Sequence, residues 1–292
     1  MDKEWGQLRE KKVWDETVVR EWADVAAEAI RDKREVHFGW LFGICGEKNS
    51  ELPDGDPLRK FKGRVVFQGN RVVNQSWETA LFNDMGSSPA TMEGSRAADL
   101  FGCAPGNDIM QADAPGAYCQ TELLGNETWV CLPPEARPAD WSRFRWPVVQ
   151  LKKALYGHPD SGTWWELHCD RIVRKAGFEP LPPEWPSCYF CKELAMFLII
   201  YVVDFKLAGK KENFPEAWRR IVDGGIVLDE PAGLNHFLGC RHIKSEVVRE
   251  DGSVVTTMEY SFESSLRNSE ARYKALAKEC GVEVKLRKCG TP

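Results

Sequence analysis

Residues 196–209 read MFLIIYVVDFKLAG, an apolar run of strand length that ends on one carboxylate, Asp204, with Val203 just before it. A strand this apolar is buried, and burying a carboxylate is costly unless something answers its charge. The chain must therefore build a core around the strand and find a use for the charge. At 292 residues, 43% of them hydrophobic, it has the length and apolar content for one large domain or two small ones.

Composition excludes several classes. The ten cysteines follow no regular spacing, and the charged N-terminus has no apolar segment behind it. Both features predict a reduced, intracellular protein of the cytoplasm or nucleus. Even AMFLIIYVV is about half of the ~18–20 residues a membrane span needs, so no membrane partner is expected. A net charge of −5 argues against a general nucleic-acid binder. Between Pro57 and Ser76, however, Arg59, Lys60, Lys62, Arg64 and Arg71 stand with no acidic residue among them. They make a local basic surface or, more plainly, a solvated strand face.

Helical spacing of Val18, Val19, Trp22, Val25, Ala26 and Ala29 predicts an amphipathic helix over 14–35. FGWLFGIC and KGRVVFQGNRVV flank the turn-rich NSELPDGDP and predict a hairpin with a basic second arm. TMEGSRAADLFGC predicts a helix ending near Gly102. NDIMQADAPGAY predicts a strand that stops at Asp113, because Pro115 and Gly116 cannot continue it. SGTWWELHCDRIVRKAGF predicts a second helix, with Trp164, Leu167, Ile172 and Val173 near one face and Gly177 as terminator. CYFCKE and the 196–209 run predict a hairpin around Lys192 to Leu194, EDG marks a later one, and SEARYKALAKECG is the last helix. Irregular interleaving of strands, hairpins and helices predicts an α+β fold around an antiparallel sheet. The expected division is an N-terminal helical region over 1–35, a body over 36–235 and a C-terminal part over 236–292.

Two of these strands end on aspartates far apart in sequence, Asp113 and Asp204. Hard carboxylates so placed are what Mg²⁺ takes, alongside water and substrate phosphates, and two-metal phosphoryl transfer needs carboxylates that bridge both ions. Strand-end aspartates are also ordinary turn formers. The order of motifs carries more weight. KFKGRVVFQGN, MQADAPGAY, NETWVCLPPE, LKKALYGHPDSGTWWE, IIYVVDFKLAG, NHFLGC, and RYKALAKECG followed by CGTP occur in that order along most of the chain. In this the sequence resembles the reverse transcriptase domain of copia-type retrotransposons.

The resemblance implies a right-hand polymerase fold, with fingers and palm over 36–235. Over 236–292 it implies the last palm hairpin, the thumb and the start of the connection. It implies RNA-directed DNA polymerase activity on RNA or DNA primer-template and dNTPs, with Mg²⁺ or Mn²⁺ as cofactor and other retrotransposon polyprotein segments as partners. By position, Asp113 matches the first metal ligand. Tyr201, Val202 and Asp204 match the Tyr-x-Asp-Asp hairpin, Asp204 being its second aspartate. Tyr118 matches the aromatic that stacks under the incoming sugar and excludes a 2′-hydroxyl. Lys62 and Arg64 match the basic fingers strand that holds the triphosphate. Asp160 stands where the family usually has a nucleotide-binding glutamine near template and dNTP. No protease, integrase or ribonuclease H segment is recognisable.

The departures bear on activity. Val203 replaces the first aspartate of the hairpin, a metal ligand in the family. Losing even an outer-shell contact costs roughly 10–100-fold in metal affinity or activity, so the expectation is an inactive or strongly impaired polymerase. The alternatives are a non-catalytic nucleic-acid-binding relic, or a decayed product that does not unfold cooperatively. Pro115-Gly116 is expected to loosen the platform under Tyr118. Cys188 and Cys191 form one C-x-x-C without the further pair a zinc site needs, so they read as buried strand cysteines. No G-x-S-x-G or phosphate-binding glycine loop accompanies His158 and His168.

Overall fold

The computed structural model describes residues 1–50, 52, 55–82 and 87–286. In chain order it has α1 (Asp2–Glu10), β1 (Arg20–Glu21), α2 (Trp22–Arg31), β2 (Val36–Lys48), β3 (Lys60–Phe67), β4 (Val73–Asn74) and α3 (Met92–Gly102). There follow β5 (Asn107–Asp113), β6 (Glu127–Cys131), β7 (Pro147–Gln150), α4 (Ser161–Lys175), β8 (Glu179–Pro180), β9 (Cys188–Cys191), β10 (Met196–Tyr201) and β11 (Asp204–Lys210). The last elements are α5 (Phe214–Asp223), β12 (Ala232–Gly233), β13 (His236–Phe237), β14 (Cys240–Val248), β15 (Val254–Ser261) and α6 (Glu263–Glu279). The fold is α+β. The chain divides into two compact units, one of residues 1–45 and 63–234, the other of 46–62 and 235–292.

The larger unit holds the sheet that bears the apolar run. Its strand order is β12-β5-β11-β10-β9-β8, antiparallel throughout. Two crossovers, one through α4 from β5 to β10 and one through α5 from β11 to β12, give a split β-α-β-β-α-β arrangement. Side chains alternate across the sheet. On β11, Phe205 and Leu207 join Trp165, Cys169, Ile172 and Val173 of α4 and Phe214, Ala217, Trp218 and Ile221 of α5 in one core. Lys206 points to the opposite face, where α3 packs. It is fully buried, and its Nζ donates to Ser95 O at 3.2 Å, Ser95 Oγ at 2.7 Å and Asp99 Oδ1 at 2.7 Å.

A second sheet runs β1-β7-β6-β2-β3, with β4 beside β2, and lies in the same unit except for residues 46–48 of β2 and 60–62 of β3. Trp5, Leu8, Val13 and Trp14 pack into its core with Val65, Phe67, Leu132 and Leu155, and Trp22 stacks on Phe38 at 4.7 Å. Residues 14–35 are not one helix. Trp14 bridges to Leu151, Asp15 accepts from Thr17 N–H at 2.9 Å, and the Glu21 carboxylate accepts from the Arg145 and Trp146 N–H groups. These anchors hold 14–21 extended or in a short 3₁₀ turn, and the helix starts only at Trp22. Likewise α4 buries Trp165 and Cys169 with Ile172 and Val173, while Leu167 is exposed, so its inward stripe is rotated from the expected one.

In the smaller unit β14 and β15 pair from Arg241–Ser261 to Val248–Val254, closed by Arg249 N–H donating to Ser253 O at 2.8 Å across the expected turn. Arg59 there makes a two-pronged pair with Glu47 at 2.9 and 2.8 Å. Among the described residues no helix is long and apolar enough to cross a membrane.

Candidate active site

The 196–209 run is not one strand but a hairpin. Tyr201 and Asp204 close it as a pair, and Val202 and Val203 form a two-residue turn. Such turns ask for φ > 0. Val202 adopts φ +55°, which a β-branched residue reaches only under strain. Two contacts hold the turn: Trp165 Nε1 of α4 donates to Val202 O at 2.5 Å, and Ala114 N–H donates to Val203 O at 2.9 Å. The Val203 side chain packs half-buried against the sheet's core.

The turn delivers Asp204 directly opposite Asp113, the last residue of β5. Opposed residues of an antiparallel pair have Cα atoms ~4.5–5.5 Å apart, so the two carboxylates share one strand end. Asp113 is exposed and Asp204 half-buried. Burial first, and the Asp113 charge second, hold the Asp204 carboxyl above its ordinary range. On the far side of Asp113, Asp229 N–H donates to Asp113 O at 2.8 Å. That segment is tied down by Gln120, whose amide bonds both the N–H and the O of Val227 at 2.8 and 3.0 Å. Among the described residues, no three His, Cys, Asp or Glu side chains gather into a group able to hold a metal ion.

After β5 the chain turns through Gly116 at φ +60° into a 3₁₀ turn over Ala117–Gln120 that carries Tyr118. Glycine is the residue for such a φ. The turn is also braced, since Gln120 Nε2 donates to Pro115 O at 3.3 Å and Cys119 N–H to Gly116 O at 3.0 Å. The Tyr118 ring meets Tyr156 edge-on at 4.8 Å, and the Arg64 guanidinium lies 5.8 Å from the Tyr156 ring centre. Burial raises both phenols; at Tyr156 the neighbouring Cys119 and Tyr118 raise it further, the Arg64 charge lowers it and Asp113 raises it. Tyr156 is fixed by its carbonyl, which accepts from Phe67 N–H at 2.8 Å. The next residue, Gly157, has φ +89° and leaves no room for a Cβ, which would lie 2.1 Å from Phe67 O.

The fold thus brings Asp113, Asp204, Tyr118 and Arg64 to one neighbourhood, with Val203 at its edge and Tyr201 exposed beside Asp204. Lys62 is exposed on β3, on the same side of the strand as Arg64. Asp160 is placed differently: it stands before α4 and lines a separate cavity with His37, Asn126 and Trp164. Sequence reading missed Tyr156, Trp165 and Gln120. ALYGH offered a signal for the first, as an aromatic ahead of a glycine with special φ. The chain matches no protein-family model and no curated protein.

Proposed function

We propose that this chain is the reverse transcriptase domain of a copia-type element, with a right-hand polymerase fold whose metal site has lost one carboxylate. The reading rests chiefly on one observation: Asp113 and Asp204 stand opposite each other at adjacent strand ends, the second delivered by a tight hairpin turn. The split sheet, the aromatic and basic neighbours of Asp113, and the motif order support it further.

Asp113 and Asp204 would hold Mg²⁺. Two carboxylates with phosphate and water fit one such ion, but they leave a second ion short of a ligand where Val203 stands. A bound Mg²⁺ supplies Lewis-acid polarisation of a phosphoryl oxygen. The chain's own groups then orient the substrate: Tyr118 offers a flat face for a sugar, and Arg64 and Lys62 supply fixed cations for phosphate oxygens. With Val203 in place, the outcome is a polymerase that binds primer-template but extends it poorly. A purely nucleic-acid-binding role is the second reading, favoured by the same valine.

Primer extension on an RNA template decides between them. The Val203→Asp variant is expected to extend with Mg²⁺ at least ~10-fold faster than the unaltered chain, and to lose that activity on adding Asp113→Ala. Extension by the unaltered chain at the rate of Val203→Asp would overturn the impaired-site account. Template binding without extension in either protein would favour the binder.

A further inference from the structure

Two indoles beside the second sheet stay in solvent. Trp77 is 53% exposed and Trp146 37%, although a tryptophan is among the side chains that gain most from burial. Trp77 also sits at φ +64°, a left-handed conformation that a bulky residue adopts only under strain. Hydrogen bonds of the turn after β4 impose it. Asn74 Oδ1 accepts from the Ser76 and Glu78 N–H groups at 2.8 and 3.0 Å, and Trp77 N–H donates to Asn74 O at 3.1 Å. Strain that the surrounding bonds sustain, while the ring it positions stays open to solvent, points to a use for the ring.

The surroundings narrow the partner. Trp77 meets Trp22, Phe38 and Trp146 at 82°, 88° and 72°, with ring centres 6.3, 5.7 and 6.0 Å away, so none of the three lies parallel on it. Trp77 and Trp146 touch each other, leaving no slot between them of the kind that takes a proline-rich segment. Phe38 also meets Trp40 at 4.6 Å, and the Arg71 guanidinium lies 4.5 Å over the Trp40 ring. A guanidinium stacked on a ring keeps its N–H fork for a phosphate. Arg145, next to Trp146 in the chain, is exposed as Arg71 is, and among the described residues neither has an ion-pair partner. The acids at hand are engaged in the fold. The Glu21 carboxylate accepts from the Arg145 and Trp146 N–H groups at 2.8 and 2.9 Å, and Glu78 Oε2 accepts from Asn74 Nδ2 at 3.1 Å. All these residues belong to the larger unit. Open aromatic surface beside unpaired arginines fits flat rings carried on an anionic backbone.

We infer that this surface binds single-stranded nucleic acid, a base stacking on Trp77 while Arg71 and Arg145 meet phosphates of the same strand. Stacking of this kind tolerates any base, so no sequence preference is expected. The inference rests on the nucleic-acid reading above and adds a second contact surface to β3. It needs neither a metal nor the Asp113–Asp204 pair.

The test is metal-free binding, followed by fluorescence anisotropy, of a labelled all-dT oligonucleotide and of an abasic strand of equal length. The unaltered chain is expected to bind all-dT more tightly than the abasic strand. Trp77→Gly removes the ring and suits φ +64°, so the turn keeps its shape. This variant should weaken all-dT at least ~5-fold and leave the abasic strand unchanged. Trp77→Phe should recover part of the loss, and Arg71→Gln should weaken both strands. Equal binding of the two strands by the unaltered chain overturns the proposal, as does Trp77→Gly binding all-dT as tightly as the unaltered chain. Binding of a proline-rich peptide that Trp77→Gly loses, with no binding of all-dT, overturns it in favour of a protein partner. Primer-template binding that Lys62→Ala weakens and Trp77→Gly does not, with all-dT equally unaffected by Trp77→Gly, overturns this surface while the reading above stands.

Discussion

The two residues of the hairpin turn each carry a cost. Val202 sits at φ +55°, where an L-residue loses about 1–2 kcal/mol. Val202→Gly should raise stability by about 1 kcal/mol, seen as a higher thermal midpoint; a lower midpoint would mean that its side-chain packing outweighs the strain. Asp204 has its carboxyl held above the ordinary value of 3.8 by burial and by Asp113. The folded state therefore binds that proton more tightly than the unfolded chain does. Its stabilising effect is complete below the unfolded pKa and is lost as pH rises through the raised folded value. Asp204→Asn should accordingly stabilise the protein at pH 7 and have little effect at pH 3, measured by denaturant midpoints. Sequence alone showed that β5 must stop at Asp113, because Pro115 ends it. It did not show that Asp204 lies opposite Asp113, since pairing between strands so distant in sequence follows from topology rather than local pattern. That juxtaposition was legible only through the family resemblance.

At the scale of elements, the join between α3 and β11 depends on a buried ion pair rather than on apolar contact alone. Lys206 and Asp99 are essentially fully buried and 2.7 Å apart, with Ser95 meeting further protons of the ammonium. Removing one partner strands a charge, so Asp99→Ala should cost about 3–5 kcal/mol, whereas Lys206→Met with Asp99→Leu should cost much less than Asp99→Ala. Thermal or denaturant melts of both variants check this. A lysine within an apolar run gave no sequence signal for its partner, because Asp99 lies on a helix whose exposed and buried faces were not distinguished. The same ambiguity rotated α4: Trp164 and Trp165 are equally apolar, and only the sheet beneath decides that Trp165 turns inward to meet Val202 O. The helix expected over 14–35 shortened because capping and bridging contacts from distant residues claimed its first half.

For the whole molecule, the acidic total hides the basic stretch between Pro57 and Ser76, not all of whose cations are equally available to a phosphate backbone. Arg59 is spent on Glu47, and Arg71 lies over the Trp40 ring at 4.5 Å. Lys60, Lys62 and Arg64 remain exposed on one side of β3. Primer-template binding through these three cations should show a slope of log K against log salt of about −2 to −3, reduced by about 1 in Lys62→Ala. A slope near zero would remove β3 from the interface. The fold class was legible from the interleaving of hairpins and helices. The strand order was not, because the crossover that joins β5 to β10 contains the whole β6–β7 excursion as well as α4.

On the function proposed above, Val203 stands in the place of a metal ligand beside Asp113 and Asp204. Mn²⁺ titration, followed by electron paramagnetic resonance, of the unaltered chain, Val203→Asp, and Val203→Asp with Asp113→Asn tests this placement. Val203→Asp should bind Mn²⁺ at least ~10-fold tighter than the unaltered chain, and Asp113→Asn should abolish the gain. Equal Mn²⁺ affinity in the unaltered chain and Val203→Asp, with both proteins folded, would contradict the account.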